Sequence, residues 1–143
     1  MKAERIVEIS RGRTAVWEVL GNPSLLPVWF DDIENFRALE GDGTAIGDIY
    51  KITYTRFRRP IGLKVTVLEA EVGNSLLQRF TGLPAAFTIA CSLGGTARKT
   101  TLDAEVDVKL SLVQRAFTPI VHGYIDRLAV DLSEGFKNHL EAK

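Results

Sequence analysis

Thr101-Leu102-Asp103-Ala104-Glu105-Val106-Asp107-Val108-Lys109-Leu110 alternates apolar and polar residues without a break. Leu102, Ala104, Val106, Val108 and Leu110 point one way; Thr101, Asp103, Glu105, Asp107 and Lys109 point the other. A period of two is β-strand geometry, and an apolar face backed by a charged one belongs to a sheet covered on one side only. The strand is predicted over 98–110.

Working back from it, the same alternation recurs five times. Strands are predicted over 85–93, 76–81, 61–72, 48–57 and 33–40. Short breaks separate them: Gly94-Gly95, Gly82-Leu83-Pro84, Gly73-Asn74-Ser75, Arg58-Arg59-Pro60 and Gly41-Asp42-Gly43. Connections this short favour antiparallel pairing of neighbours. Tyr50, Ile52 and Tyr54 share one face of their strand, and Ile61, Leu63, Val65 and Val67 share one face of the next.

Residues 5–10 read as one more strand, broken by Arg11-Gly12-Arg13-Thr14. The Thr14 hydroxyl can cap the helix that follows. Ala15, Val16, Val19 and Leu20 give that helix its apolar face, with Trp17 beside it. Gly21-Asn22-Pro23-Ser24 ends it. Leu25, Leu26, Val28, Trp29 and Phe30, interrupted by Pro27, predict a second short helix. Downstream of the strands, 113–141 is helical. At about 100° per residue, Phe117, Val121, Tyr124, Leu128 and Leu132 fall on one face, flanked by Ile120, Ile125 and Phe136. Pro119 marks a helix start or bend. The predicted order is β-α-α-β6-α in one α+β domain spanning 1–143. A sheet of this extent with one long helix to cover it curls around that helix, and the space between is suited to an apolar ligand.

Composition narrows the functions. The 143 residues suffice for one domain with a core, and 18 basic residues balance 18 acidic ones. No general attraction to nucleic acid or anionic membrane follows. The one cysteine, Cys91, lies between Ile89 and Leu93 and reads as a small buried hydrophobe, with no partner for a disulfide. Met1-Lys2-Ala3-Glu4 lacks an apolar signal core and no later stretch is long enough to span a membrane, so a cytoplasmic location is the expectation.

Taken in order, several motifs resemble the START-like (SRPBCC) superfamily, specifically its polyketide cyclase/dehydrase and lipid-transport types. They are Thr14-Ala15-Val16-Trp17-Glu18-Val19-Leu20-Gly21-Asn22-Pro23, Leu26-Pro27-Val28-Trp29, the turn Gly43-Thr44-Ala45-Ile46-Gly47, Leu93-Gly94-Gly95-Thr96 and a long helix ending Leu140-Glu141. The resemblance spans essentially the whole chain and rests on the order and spacing of motifs, none specific alone. It implies a helix-grip (Bet v 1-like) fold, a curved antiparallel sheet gripping the C-terminal helix with two small helices closing one end. It also implies an internal cavity for hydrophobic molecules. Some members of the superfamily cyclise and dehydrate polyketides, yet it has no universal catalytic motif to map onto this chain.

The residues themselves nominate a lining. Trp29 and Phe30 fall where the small helices close the cavity mouth, either touching ligand or plugging the core. Tyr50 and Tyr54 can orient a carbonyl or act as acids, or be core residues with hydroxyls at the rim. Arg56 continues their face and reads as solvated at a hairpin end. Alternation separates Leu76, Gln78 and Phe80 from Leu77, Arg79 and Thr81, and leaves open which set faces inwards; if the second does, Arg79 is a buried cation. Phe117, Val121, Tyr124 and Leu128 present the inward face of the long helix, Tyr124 foremost. His122 and His139 lack metal-ligand spacing, so no metal and no cofactor are expected. A triad of Ser111, His122 and Asp126 has nothing to position its serine. Arg56, Arg58 and Arg59, interleaved with Phe57, form a basic patch or a solvated hairpin end.

Three functions follow: a carrier or sensor of a small hydrophobic molecule (lipid, polyketide or aromatic), a polyketide cyclase/dehydratase-type enzyme using the same cavity, and a partner-binding module. The first leads. The partner is then a small hydrophobic molecule and not nucleic acid, with monomer and homodimer both open.

Overall fold

The structure, a computed structural model, describes residues 1–56, 59–83, 85–111 and 114–142. Strand β1 (Lys2–Ile9) leads to helix α1 (Arg13–Leu20), a 3-10 turn (Pro23–Leu25) and the short helix α2 (Leu26–Trp29). Six strands follow: β2 (Ile33–Glu40), β3 (Ile49–Tyr54), β4 (Ile61–Glu71), β5 (Ser75–Thr81), β6 (Phe87–Gly95) and β7 (Thr100–Val108). A second 3-10 turn (Gln114–Phe117) opens into α3 (Thr118–Glu141). The order is the predicted one, and Pro119 sits in the first turn of α3, where its missing N–H costs nothing.

All seven strands form one antiparallel sheet in the order β1-β7-β6-β5-β4-β3-β2. β2 to β7 meander, and β1 closes the far edge by pairing with β7 from Lys2↔Asp107 to Ile9↔Thr100. The sheet bends at bulges. β4 shifts register against β5 between Val67 and Glu69, and β2 shifts twice against β3. An extra residue on one strand kinks it and strengthens its twist. In β4 the extra residue also changes which side chains face inwards: Leu63, Val65 and Val67 are buried before it, and beyond it Ala70 packs on the core while Glu69 and Glu71 are exposed.

The concave face packs on α3, whose buried stripe is Ile125, Leu128, Ala129, Leu132, Ser133, Phe136 and Leu140. This stripe favours the side of the wheel that carries Ile125 and Phe136. Its C-terminal half is tied to β1 and the turn after it. Arg5 bonds Glu134 at 3.0 Å, Lys137 Nζ donates to the Glu8 carbonyl at 2.7 Å, and the Ser10 N–H donates to the Glu141 carboxylate at 2.8 Å. Together with sheet curvature, this is the helix-grip arrangement.

Two local expectations need correction. Thr14 does not cap α1. Gly12 occupies the N-cap, and the helix begins at Arg13 without a side-chain cap bond. The reason is a close approach: a Cβ on Gly12 would lie 2.5 Å from the Ala97 carbonyl oxygen, so the chain passes the β6–β7 hairpin only with glycine there. The last strand is also shorter than predicted, because Thr96 N–H bonds the Lys99 carbonyl and makes 96–99 part of the turn.

Candidate ligand-binding cavity

The N-terminal half of α3 stands off the sheet. Between them lies a cavity of about 430 Å³. Phe87 of β6, Val108 of β7 and Leu110 form one wall, and Leu83 and Ala85 from the β5–β6 connection form a second. Val121, Tyr124, Ile125 and Leu128 of α3 form the roof. Gln114, Phe117 and Ile120 complete it; Phe117 and Ile120 are 57% and 72% exposed, which marks the opening. Among the described lining residues only Gln114 and Tyr124 have polar side chains. The volume lies within the range of about 300–1,000 Å³ usual for small-molecule pockets.

Local sequence explains the shape. Ser111 and Gln114 bond reciprocally: the Gln114 N–H donates to Ser111 Oγ at 3.3 Å, and the Ser111 N–H donates to Gln114 Oε1 at 3.1 Å. This Ser-x-x-Gln capping box starts the turn that carries Phe117 to the opening. On the other wall, Gly82 holds φ at +131°, and a Cβ there would lie 2.4 Å from the Gly62 carbonyl oxygen. Only glycine lets the β5–β6 connection cross β4 so closely.

A polar clasp borders the cavity. Tyr124 Oη donates to Tyr54 Oη at 2.7 Å, joining α3 to β3. Next to it Arg56 Nη1 meets Asp131 Oδ2 at 2.7 Å and Asp32 Oδ2 at 3.6 Å, and its guanidinium lies 5.7 Å from the centre of the Tyr124 ring. Burial raises the pKa of both phenols. For Tyr124, donating to Tyr54 raises it further. Burial opposes the charge on Arg56, but the Asp131 carboxylate and Tyr54 outweigh it and raise its pKa. At neutral pH the clasp therefore consists of two protonated phenols and a guanidinium held by carboxylates. Its phenols and guanidinium are hydrogen-bond donors and are not bases at that pH.

The nominated residues are dispersed. Phe117, Val121, Tyr124 and Leu128 line the cavity. Tyr54 reaches it through Tyr124. Tyr50 is wholly buried, accepts a 2.6 Å bond from Gln78 Nε2 and packs on Phe36. Trp29 and Phe30 plug the core instead of closing the mouth. Trp29 meets Phe136 edge to face at 4.9 Å, near the C-terminal end of α3 and several turns from the opening. Arg79 is exposed on the outer face, because Leu76 and Phe80 point inwards and carry Gln78 with them. The expectation of a solvated Arg56 is likewise corrected, since two carboxylates hold it.

Other expectations end elsewhere. Cys91 is buried, and burial pushes its thiol up to about 12, so it stays un-ionised. His122 does meet Asp126 at 3.1 Å, on an exposed face of α3, while the Ser111 hydroxyl serves the capping box. No group of three or more metal-ligating side chains occurs among the described residues. In the basic patch, Phe57 and Arg58 lie outside the described residues, and Arg59 is exposed. No helix among the described residues is long and apolar enough to cross a membrane.

Sequence reasoning passed over Leu83, Ala85, Phe87 and Gln114 as lining. Phe87 was legible as an alternating strand position. The Ser111–Gln114 spacing carried the signal for Gln114.

No protein-family model and no curated protein matches the chain by sequence. Solved structures match it by shape. A START superfamily protein from Mycobacterium smegmatis has a TM-score of 0.80 at 14% identity, covering 99% of this chain and 97% of that one. The Zhui aromatase/cyclase from Streptomyces sp. R1128 has a TM-score of 0.78 at 12% identity, covering 99% and 93%. Norcoclaurine synthase from Thalictrum flavum, in complex with dopamine and hydroxybenzaldehyde, has a TM-score of 0.75 at 15% identity, covering 100% and 88%. Likeness at these identities establishes the helix-grip fold of START-like proteins.

Proposed function

We propose that this protein binds a small, largely apolar molecule between α3 and the sheet and acts as its carrier or sensor. The observation that carries this reading is the cavity of about 430 Å³, walled almost wholly by apolar side chains and open beside Phe117 and Ile120. Burial of apolar ligand surface there contributes roughly 25 cal/mol per Å² removed from water. Tyr124 and Gln114 supply the polar contacts that orient the guest.

A catalytic reading has one observation behind it. The Tyr124 phenol borders the cavity and stays protonated at neutral pH, and by turning its O–H from Tyr54 to the guest it can hold a carbonyl or enolate oxygen. That an aromatase/cyclase and a synthase share the fold makes a cyclase or dehydratase the form it would take. Against it, the described lining offers no base to remove a proton.

Two measurements separate the readings. Native mass spectrometry of freshly purified protein is expected to reveal a bound apolar molecule, and adding excess ligand is expected to raise Tm without turnover; at a concentration 100-fold above Kd the gain is about 2.7 kcal/mol. Tyr124→Phe is expected to weaken binding modestly. A much larger loss in turnover than in affinity would favour the enzyme. Protein that retains nothing, and melts unchanged with every lipid and aromatic tried, would end the carrier reading.

A further inference from the structure

The interior is divided along α3. Beyond the outer cavity lies a hollow of about 30 Å³, and beyond that another of about 40 Å³. The outer cavity and the middle hollow have two wall residues in common, Phe87 and Leu128. The middle and innermost hollows share Phe80 and Leu132 among their walls. The Phe87 ring lies flat on Phe80, with centroids 4.9 Å apart and an interplanar angle of 1°, so a core residue holds it in place. The Tyr54–Tyr124 bond crosses the same boundary, because Tyr124 borders the outer cavity and Tyr54 the middle hollow.

We propose that Phe87 and Leu128 form an internal partition that sets the length of the apolar chain this protein accepts. The inference rests on the outer cavity being the ligand site, and it names the feature of the ligand that is selected. The surroundings on both sides are mainly apolar, so a chain passing the boundary would stay in favourable contact. The two residues common to both walls, Phe87 and Leu128, have large side chains, and a barrier made of them is removable by substitution.

The test uses the full chain as wild type, Phe87→Ala, Phe87→Leu and Leu128→Ala, each checked for a cooperative melt. Saturated fatty acids from octanoate to stearate are titrated by calorimetry below their micelle concentrations. Wild type is expected to gain affinity with each added carbon up to a cutoff, then to stop gaining. In the variants the cutoff moves up by two carbons or more. The first acids beyond the wild-type cutoff then bind about tenfold more tightly, the effect of roughly two more buried methylenes. If Phe87→Ala does not fold, Phe87→Leu and Leu128→Ala carry the test. Folded variants that bind with the wild-type cutoff overturn the partition, as does a wild type whose affinity climbs without a cutoff to stearate. A wild type that binds none of these acids overturns this inference, because the guest is then not an apolar chain, and leaves the cavity reading to the lipid and aromatic trials; that outcome is recognisable before any variant is examined.

Discussion

At the scale of single residues, the clasp on the cavity border carries most of the chemistry. Tyr54, Arg56, Tyr124 and Asp131 come from β3, the segment after it and α3, and nothing local holds them together. Tyr124→Phe deletes the donor of the 2.7 Å bond and leaves the ring in place. The expected cost is about 1 kcal/mol, the usual net worth of such a bond. Urea denaturation would record it as a lower midpoint with an unchanged slope. A midpoint equal to that of wild type would mean that the bond does not hold α3 against β3. Arg56 illustrates how pairing changes a reading: at a predicted hairpin end it is solvated, but beside Asp131 and Asp32 it is fixed.

At the scale of elements, α3 is two half-helices with different duties. Its C-terminal half fills the grip. Phe136 is buried to 1% exposure against Trp29, so Phe136→Ala should cost about 3–5 kcal/mol. Its first turns roof the cavity and touch less. Ile120→Ala should change stability by no more than about 0.5 kcal/mol, as exposed sites do. Chemical denaturation of both variants checks the contrast, and equal costs would contradict the division. The helical wheel could not reveal it. Periodicity reports which side of a helix is apolar, and both halves are apolar on the sheet side; whether the sheet reaches that side depends on where the bulges bend it.

At the scale of the whole molecule, all three tyrosines are held protonated by burial. The unfolded chain ionises its phenols near pH 10. Above that pH the folded state binds more protons than the unfolded one, so stability falls as pH rises. Little phenolate absorbance is expected from the native protein at pH 10, with a sharp rise as it unfolds at higher pH. Full ionisation at pH 10 with the fold intact would contradict the burial of these side chains.

Element order, the apolar faces of β3, of β7 and of β4 as far as Val67, the inert cysteine and a helix start or bend near Pro119 were all legible in the sequence. Each follows from short-range rules: a period of two or 3.6, or a backbone N–H that proline lacks. Strand β5 marks the limit of those rules, because Leu76-Leu77-Gln78-Arg79-Phe80 alternates equally well either way. Pairing with β4 and β6 decided that Gln78 faces in and Arg79 out. The position of the cavity, the retreat of Trp29 into the core and the carboxylates around Arg56 were likewise decided only by tertiary structure. Free space and long-range ion pairs depend on how far elements distant in sequence approach one another, and no local pattern encodes that distance.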